Sequence, residues 1–387
     1  MASYTVGVIF GSRSPEHEVS IVSALQVMDF LSKRHTVVPI YITKEGRWLT
    51  GDKLLNAAAY KNLDLKDPDL KPVILSPDPG FRLIKNPLGK GLLGKPEEVK
   101  LDIVFPVLHG LHGEDGTLQG LCELANLPYV GSDPMASAVC IDKVITKLAL
   151  RGAGLPVLDG IWFTRLEWEK DEDRIVGDIE AKFKYPMIVK PARLGSSIGI
   201  SIAHDADELR YTVSVASHFD SRLLVEPCLV EKTEVNCAVL GFADPRPSVC
   251  EQPLTGGTIL SFSDKYLQGS ATQGMEGAKR IIPAPIGEEM KQKIQALAVQ
   301  AFKAVGARGV ARIDFMLAGG EVYINEINTI PGSIAYYLWQ PLGMSPQQLV
   351  DELLEEGFAA HKEKNRSRLS EGPVLLGNID LLKLHKD

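Results

Sequence analysis

The sequence has no run of apolar residues close to the roughly 20 that a membrane-spanning helix requires, which argues against an integral membrane protein. The short apolar run at residues 6–10 is typical of a strand and not of a signal peptide. The five cysteines are odd in number and form no CxxC pair, which argues against a disulfide framework. We therefore expect a cytoplasmic protein with no membrane partner, whose cysteines are buried thiols in a reducing compartment.

The sequence also lacks an excess of positive charge, because 49 acidic residues outnumber 42 lysines and arginines. The 387 residues carry a net charge of −7 at pH 7, and no basic cluster offsets it. A nucleic-acid surface needs such a cluster, so we expect no nucleic-acid partner. With 45% hydrophobic and 24% charged residues, the composition is that of an ordinary globular protein, and the length predicts two or three domains.

Several common ligand motifs are missing. The chain has no GxxxxGK[ST] phosphate-binding loop. Gly7 and Gly11 of the first strand lack the GxGxxG spacing, and no acid ends the second strand, so a nicotinamide-dependent oxidoreductase is an alternative that the sequence disfavours. His109 and His112 invite a zinc interpretation, but no cysteine or third histidine stands near them.

The segments ARIDF and NEINTIPG, near the C-terminal end, flank the turn signal AGGE and predict a β-hairpin. Because side chains alternate along a strand, Arg312 and Asp314 share one face, and Glu326 and Asn328 share one face of the partner strand. Two carboxylates this close would repel unless a cation lay between them. Since oxygen ligands suit Mg²⁺, the hairpin predicts a magnesium site; a solvated face with a salt bridge is the alternative.

Strands, polar loops and helices alternate in the first third of the chain. Residues 4–10, 37–42 and 101–108 are typical of buried strands, and polar loops follow the first and the third of them. Residues 51–100 have weak periodicity and many Pro, Gly and Lys residues, so they are assigned only loosely. The alternation is typical of a parallel α/β sheet, in which ligands lie beyond the carboxyl ends of the strands.

The middle of the chain combines lysines with a glycine- and serine-rich loop. Lys143 and Lys147 lie four residues apart on a helix that Asp142 is expected to cap, so they share a face. Lys190 ends an apolar strand before GSSIG, whose amides and hydroxyls suit phosphate binding, although a plain turn is the alternative. The long polar stretch at residues 255–279 predicts a mobile loop over an active site, or else a surface excursion.

Taken together, the motifs EHEVS, HGLHGEDGT, DKVITK, VKPARLGSSIGI, DKY, ARIDF and NEINTIPG resemble, in this order, the D-alanine–D-alanine ligases of the ATP-grasp superfamily. The resemblance implies an α/β fold (α+β in the ATP-grasp part), with an N-terminal Rossmann-like parallel sheet domain followed by a two-subdomain ATP-grasp fold. The implied boundaries are 1–134 for the first domain, 135–227 for the central subdomain and 228–365 for the C-terminal subdomain with the metal site. Residues 366–387 would form a tail.

The resemblance also implies roles in binding ATP and metal. The ATP-binding residues would be Lys143, Lys190, Ser197, Glu226, Leu229, Glu234 and Lys265. Among them, Glu226 and the backbone of Leu229 would hold the adenine edge. Glu234 would bind the ribose, and Lys265 would reach the γ-phosphate. Two Mg²⁺ ions, or Mn²⁺ in their place, would be held by Asp314, Glu326 and Asn328.

Roles at the first substrate site are implied in the same way. Glu16 would pair with the ammonium group of the first D-alanine, helped by His109. Ser196 and Tyr266 would complete a hydrogen-bonded set with Glu16 that ties the closed loop to the first domain. Glu16 and His109 would thus bind the first amino acid, and Glu16, Ser196 and Tyr266 would serve catalysis.

The oxyanion of the tetrahedral intermediate would be stabilised by Arg312 and the amide of Gly332. The segment after Gly332 departs from the family's pattern. Tyr337 and Leu338 stand where the family commonly has a serine and a small apolar residue near the carboxylate of the second D-alanine. Because a phenol is bulkier than a serine, this departure leaves the second substrate open.

The implied activity is the ATP-dependent condensation of two D-alanine molecules through an acyl phosphate, for peptidoglycan synthesis, and a homodimer is a family expectation. A related ligase that joins D-alanine to D-serine or D-lactate is the nearest alternative, although Tyr266 matches the peptide-forming members. A catalytically dead ATP-binding regulator is disfavoured, because every metal and phosphate position is filled.

Overall fold

A computed structural model of the chain describes residues 2–85, 97–254 and 280–367. The described residues form three β-sheets. The strands of the first sheet are β1 (Thr5–Gly11), β2 (Thr36–Ile42), β3 (Trp48–Thr50), β4 (Lys71–Leu75), β5 (Arg82–Lys85), β6 (Glu97–Lys100) and β7 (Ile103–Val107). Their order is β6-β5-β4-β3-β2-β1-β7, with β1 parallel to both β2 and β7.

The parallel core expected from the sequence is confirmed, and it has an extension that the sequence did not predict. Strands β2 to β6 pair antiparallel, in the part of the chain where periodicity is weak. The first sheet is accompanied by the helices α1 (His17–Ser32), α2 (Thr117–Leu124) and α3 (Pro134–Ile141). Short 3₁₀ turns at Asp52–Leu55 and Ala57–Asn62 connect β3 to β4. Because α1 starts at the carboxyl end of β1, Glu16 lies at that edge of the sheet.

The second sheet has the antiparallel order β10-β9-β11-β8. Its strands are β8 (Ile161–Thr164), β9 (Met187–Pro191), β10 (Ser201–Ala203) and β11 (Arg222–Pro227). The helices around it are α4 (Lys143–Gly152), α5 (Arg165–Lys170), α6 (Glu172–Lys182) and α7 (Ala206–Ser217). The carboxylate of Asp142 accepts hydrogen bonds from the backbone N–H groups of Val144 and Ile145, which confirms the predicted cap of α4.

The third sheet is also antiparallel, with the order β14-β13-β12-β15-β16. Its strands are β12 (Thr233–Gly241), β13 (Arg246–Pro253), β14 (Arg280–Ile281), β15 (Gly309–Ala318) and β16 (Glu321–Asn328). The helices α8 (Glu288–Ala304) and α9 (Pro346–Lys364) belong to the same part of the chain. Two 3₁₀ segments, Gly332–Leu338 and Gln340–Leu342, connect β16 to α9.

The first and third sheets share one apolar core. Ile334, Leu338 and Trp339, from the segment after β16, are buried in the same cluster as Phe10 of β1 and Val27 of α1. Burial of such side chains stabilises the packing by roughly 1.5–3 kcal/mol each. This shared core holds the segment after β16 against α1, and so brings the β15–β16 hairpin to the carboxyl end of β1. In the described residues no helix has the length and apolar character needed to cross a membrane.

Candidate active site

Loops from all three sheets line one cleft. Most of the residues that the sequence singled out lie on its wall, namely Glu16, His109, Lys143, Lys190, Ser196, Ser197, Leu229, Glu234, Arg312, Asp314, Glu326, Asn328 and Gly332. Lys265 and Tyr266 lie outside the described residues. Glu226, Tyr337 and Leu338 are buried and are not among the residues that line the cleft.

The polar face of the β15–β16 hairpin has the arrangement that the sequence predicted. Arg312 lies opposite Asn328, and Asp314 lies opposite Glu326. The guanidinium of Arg312 donates from Nε to Asp314 Oδ1 at 2.7 Å and from Nη2 to Asp314 Oδ2 at 2.8 Å. Burial alone would lower the pKa of Arg312, but Asp314 raises it well above its ordinary value. Arg312 is therefore a permanent cation, held rigidly at the cleft.

The donor set on this hairpin fits Mg²⁺. The side chains of Asp314, Glu326 and Asn328, on adjacent strands, offer oxygen atoms as metal ligands. The amide nitrogen of Asn328 donates a hydrogen bond to Asp314 Oδ2 at 3.1 Å. Among the described residues, no group of three or more His, Cys, Asp and Glu side chains is placed to hold a metal. Two carboxylates and an amide are too few for a closed site, so a magnesium ion here would need water or phosphate oxygens as well.

Two lysines of the cleft region meet at a buried carboxylate. Lys147 Nζ lies 2.6 Å from Glu226 Oε1, and Lys190 Nζ lies 2.7 Å from Glu226 Oε2. Burial would raise the pKa of Glu226, but the two ammonium groups outweigh it and lower this pKa to about 2. Lys190 also donates to Asn325 Oδ1 at 3.2 Å and lines the cleft. Both oxygens of Glu226 are thus engaged, which differs from the adenine-binding role that the resemblance implies.

Replacing Glu226 by glutamine is expected to lower the free energy of unfolding by about 3–5 kcal/mol, because two ammonium groups would stay buried without their anion. Urea unfolding without nucleotide measures this loss. Since the pKa of Glu226 is lower in the folded state, its stabilising contribution is present above pH ~4.5 and is lost as the pH falls towards about 2. The difference between wild type and variant should shrink over that range.

The matched control for this prediction is Glu234→Gln. Glu234 also carries a lysine partner, with Lys232 Nζ at 2.7 Å, but the pair is partly open to solvent. Its loss should change the free energy of unfolding by no more than about 1 kcal/mol. Equal losses in the two variants would contradict the assignment of Glu226 as the anion of a buried triad.

Lys143 joins the second sheet to the hairpin. Its ammonium group donates to the carbonyl oxygen of Leu194 at 2.5 Å and lies 3.8 Å from Glu326 Oε2. Lys143 and Lys190 therefore put two positive charges beside the hairpin. These charges would offset the negative charge of the phosphates of a nucleoside triphosphate.

The glycine-rich loop reaches across the cleft to the first sheet. The hydroxyl of Ser196 donates a hydrogen bond to Glu16 Oε1, as the resemblance implies. A Cβ on Gly195 would lie 2.8 Å from Glu16 Oε2, and one on Gly110 would lie 2.6 Å from the same oxygen. A side chain at either position would require the carboxylate of Glu16 to shift, so this carboxylate is closely enclosed on two sides.

His109 holds the loop that leads to Gly332. Its Nδ1 lies 2.9 Å from the carbonyl oxygen of Ile330, which can only accept, so Nδ1 carries the proton. Its Nε2 then accepts from the hydroxyl of Ser23 at 2.9 Å, and the N–H of Ser333 donates to that hydroxyl oxygen at 3.1 Å. Burial lowers the pKa of His109 to about 4, which keeps the ring neutral. With both nitrogens engaged, His109 acts on the cleft by positioning this loop.

Glu114 makes a second connection to the same loop. Its carboxylate accepts from the N–H of Gly110 and from the N–H of Ile330, each at 2.9 Å. Burial and the neighbouring Glu16 raise the pKa of Glu114 to about 8. The residues that follow Gly332 carry unusual backbone angles, with φ of 52° at Ser333, 48° at Ile334 and 51° at Ala335. Such left-handed residues cost roughly 1–3 kcal/mol each, so tertiary bonds must hold this turn in place.

Tyr337 and Leu338 lie behind the wall of the cleft and not on it. Leu338 is part of the apolar core. The hydroxyl of Tyr337 donates to Glu251 Oε1 at 3.2 Å, and the guanidinium of Arg280 lies 4.2 Å above the Tyr337 ring. Burial raises the pKa of Tyr337 to about 12, so the phenol remains a hydrogen-bond donor. Tyr337 therefore contacts Glu251 and Arg280, both of which line the cleft.

Apolar side chains also line the cleft. Leu158, Ile188, Leu229 and Met316 are among them, and Met316 lies opposite Glu234 in the β12–β15 pair. A planar, uncharged ring system such as a purine fits an apolar wall of this kind. The wall of the cleft thus combines apolar side chains, lysines, the acidic face of the hairpin and the carboxylate of Glu16.

The residues that sequence reasoning missed are those whose partners are distant in the chain. Four of them had no role assigned from the sequence, namely Ser23, Glu114, Glu251 and Arg280. Glu114 lies inside HGLHGEDGT and could have been found as an acid flanked by glycines. The other three carry no local signal.

Comparison with known proteins is consistent with this geometry. A family model described as D-ala D-ala ligase N-terminus matches residues 5–132, and one described as D-ala D-ala ligase C-terminus matches residues 149–355. The D-alanine–D-alanine ligase of Thermosipho africanus is 37% identical over 362 residues, which cover 93% of this chain and 94% of that protein.

Solved structures show the same likeness. The D-alanine–D-alanine ligase of Coxiella burnetii superposes with a TM-score of 0.76 at 30% identity and covers 95% of this chain and 97% of its own. The VanG D-Ala:D-Ser ligase of Enterococcus faecalis superposes with a TM-score of 0.77 at 32% identity, with 92% and 99% covered. The likeness therefore spans nearly the whole of each protein.

Proposed function

The chain belongs to the D-alanine–D-alanine ligase family, and from this premise we propose that it condenses two molecules of D-alanine to D-alanyl-D-alanine at the expense of ATP. The observation that carries the proposal is the single cleft in which Glu16, the lysines Lys143 and Lys190, and the Arg312–Asp314 pair face one another. We further propose that the enzyme is a cytoplasmic homodimer that supplies peptidoglycan synthesis.

The nucleotide would lie along the cleft from its apolar side chains to the hairpin. The adenine would contact Leu229 and the neighbouring apolar side chains, and Glu234 would accept from the ribose. Lys143, Lys190 and the Ser197 hydroxyl would bind the phosphates. Lys265, outside the described residues, is proposed for the γ-phosphate. Glu226 would act indirectly, by fixing the ammonium group of Lys190.

The first step activates a carboxylate, which is a poor electrophile. A carboxylate oxygen of the first D-alanine attacks the γ-phosphorus, the bond to the β-phosphate oxygen breaks, and an acyl phosphate and ADP result. Glu16 would hold the ammonium group of this D-alanine, and Ser196 would fix Glu16. Asp314, Glu326 and Asn328 would hold Mg²⁺ or Mn²⁺, which when bound offsets phosphate charge.

The second step joins the two amino acids. The amine of the second D-alanine attacks the acyl carbon, and the tetrahedral intermediate then expels phosphate while the nitrogen loses a proton. Arg312 and the N–H of Gly332 would stabilise the oxyanion. The bonds from His109 and Glu114 to Ile330 would hold the Gly332 loop in place before the reaction, so that this stabilisation needs no reorganisation.

A second candidate function is ligation of D-alanine to D-serine or D-lactate. The observations that favour it are the likeness to the VanG D-Ala:D-Ser ligase and the tyrosine at position 337. Because the phenol lies behind the cleft wall, its bulk does not by itself narrow the second site. We therefore retain D-alanine as the proposed second substrate.

The proposed function is tested by incubating the purified protein with ATP, Mg²⁺ and D-alanine alone, and then with D-serine or D-lactate added. Phosphate release reports turnover, and mass spectrometry identifies the products. We expect D-alanyl-D-alanine from D-alanine alone, with no product from L-alanine. Mixed product only would favour the second candidate, and ATP binding without any ligated product would contradict both.

A further inference from the structure

A buried cluster of four polar side chains lies behind and within the cleft wall beside Arg312. Glu251 accepts from Asn236 Nδ2 at 3.0 Å and from the Tyr337 hydroxyl at 3.2 Å, both on Oε1. Its other oxygen, Oε2, accepts from Arg280 Nη1 at 3.1 Å. The Arg280 side chain is 9% exposed and that of Glu251 is 2% exposed.

The geometry of the cluster fixes the guanidinium of Arg280. One edge is held by the charge-assisted bond to Glu251, and one face lies 4.2 Å from the centre of the Tyr337 ring. Such a bond together with ring stacking restricts both the position and the plane of a guanidinium. Glu251 is itself held in place, because its carboxylate also accepts hydrogen bonds from Asn236 and Tyr337. Arg280 is therefore a pre-organised cation on the wall of the cleft.

The position of the cluster matters for the second amino acid. Asn236 of β12 lies opposite Glu251 of β13 on one side and opposite Asp314 of β15 on the other, so the strand pairing places the cluster beside the Arg312–Asp314 pair. Arg280 and Arg312 both line the cleft. In the second substrate, the attacking amine and the carboxylate are attached to the same carbon atom. When the amine attacks a carbonyl whose oxygen faces Arg312, the carboxylate must lie within a few ångströms of that carbonyl, and it needs a cation there.

The other cations of the wall have different partners. In the part of the chain that the structure describes, Lys143 and Lys190 lie on the side of the glycine-rich loop, and Lys232 pairs with Glu234. Arg312 is held bidentately by Asp314. We propose that Arg280 is the residue that binds the carboxylate of the second substrate, and that Tyr337 and Glu251 position it. This inference rests on the proposed function.

The inference is tested by competition between two acceptors. D-alaninamide has the same amine and side chain as D-alanine but carries no carboxylate. Wild type and Arg280→Met are supplied with ATP, Mg²⁺, D-alanine and an equal concentration of D-alaninamide. Mass spectrometry measures the ratio of dipeptide to dipeptide amide, which equals the ratio of kcat/KM for the two acceptors.

We expect wild type to prefer D-alanine about 10- to 100-fold, the range for a charge-assisted contact, and Arg280→Met to lose most of this preference. A merely structural role of Arg280 would slow both acceptors equally and leave the ratio unchanged, which would overturn the inference. Arg280→Lys keeps the charge without the planar fork and should show an intermediate ratio. Tyr337→Phe removes only the hydroxyl and should lower the ratio less than Arg280→Met does.

The matched control is Arg246→Met. Arg246, on β13, is another arginine beside an aromatic ring, with its guanidinium 5.8 Å from the ring of Trp339, but it pairs with Glu352, and neither residue lines the cleft. The ratio of dipeptide to dipeptide amide formed by Arg246→Met should equal that of wild type.

Trapping with hydroxylamine distinguishes failure of the proposed function from failure of the role of Arg280. Hydroxylamine converts the acyl phosphate to D-alanine hydroxamate without a second amino acid. Wild type that forms no hydroxamate overturns the proposed function, whereas hydroxamate with an unchanged ratio in Arg280→Met overturns only this inference.

Discussion

Replacing Arg312 by methionine is expected to lower kcat by at least about 10²–10³-fold while ATP binding is retained. The magnitude is that of one lost oxyanion donor in other enzymes. Arg312 is about one-tenth exposed and is held bidentately by Asp314, so its charge is already fixed at the position proposed for the oxyanion. Steady-state phosphate release gives kcat, and calorimetry with a non-hydrolysable ATP analogue gives the nucleotide affinity.

The control for this prediction is Arg312→Lys, which keeps the charge but cannot form both bonds to Asp314. We expect it to recover part of the lost kcat. Turnover close to wild type in Arg312→Met would refute the oxyanion role. A parallel loss of nucleotide affinity in both variants would instead assign Arg312 to the ATP site.

The hairpin that carries Arg312 could be predicted from sequence because its pattern is local. Alternation of polar and apolar residues fixed which side chains share a face, and the turn signal fixed the pairing. The observed register places Arg312 opposite Asn328 and Asp314 opposite Glu326. The parallel strands of the first sheet and the cap of α4 were predictable for the same reason, since each depends on neighbouring residues only.

Contacts between distant segments could not be predicted in this way. The partners of Glu226 come from α4 and β9, and nothing near Glu226 in the sequence indicates two lysines. The bonds from His109 and Glu114 to Ile330 join residues more than 200 positions apart. The strands β4, β5 and β6 were missed because their stretch is rich in Pro, Gly and Lys and shows no clear alternation.

The backbone conformation of the turn after Gly332 could not be predicted from the sequence either. Its left-handed residues are a serine, an isoleucine and an alanine, where a sequence reader expects glycine. The conformation is maintained by the apolar core and by the bond from Ser333 to Ser23, and not by local preference. For the same reason Tyr337, expected at the second substrate, lies behind the wall, whereas Arg280 lines the cleft and is the residue that we propose for the carboxylate of that substrate.

Removing either carboxylate of the hairpin is expected to abolish metal-dependent turnover. Asp314→Asn and Glu326→Gln each remove one of the two anionic ligands that we propose for Mg²⁺, from a set of ligands that already needs water or phosphate oxygens. Charge offset by a metal ion is worth several kcal/mol, so we expect at least about a 100-fold loss of kcat at saturating ATP. Excess EDTA should bring wild type to the same level, and added Mg²⁺ should restore wild type only.

The matched control is Glu321→Gln, because Glu321 is an exposed acid in the turn of the same hairpin. Binding of Mn²⁺ in the presence of an ATP analogue, followed by electron paramagnetic resonance, gives a readout that does not depend on turnover. The expected result is wild-type Mn²⁺ affinity in Glu321→Gln and at least about a tenfold loss in Asp314→Asn and Glu326→Gln. Equal affinity in all four proteins would place the metal elsewhere. Asp314 would then serve as the anion that orients Arg312, and the loss of kcat in Asp314→Asn would have the same origin as that in Arg312→Met.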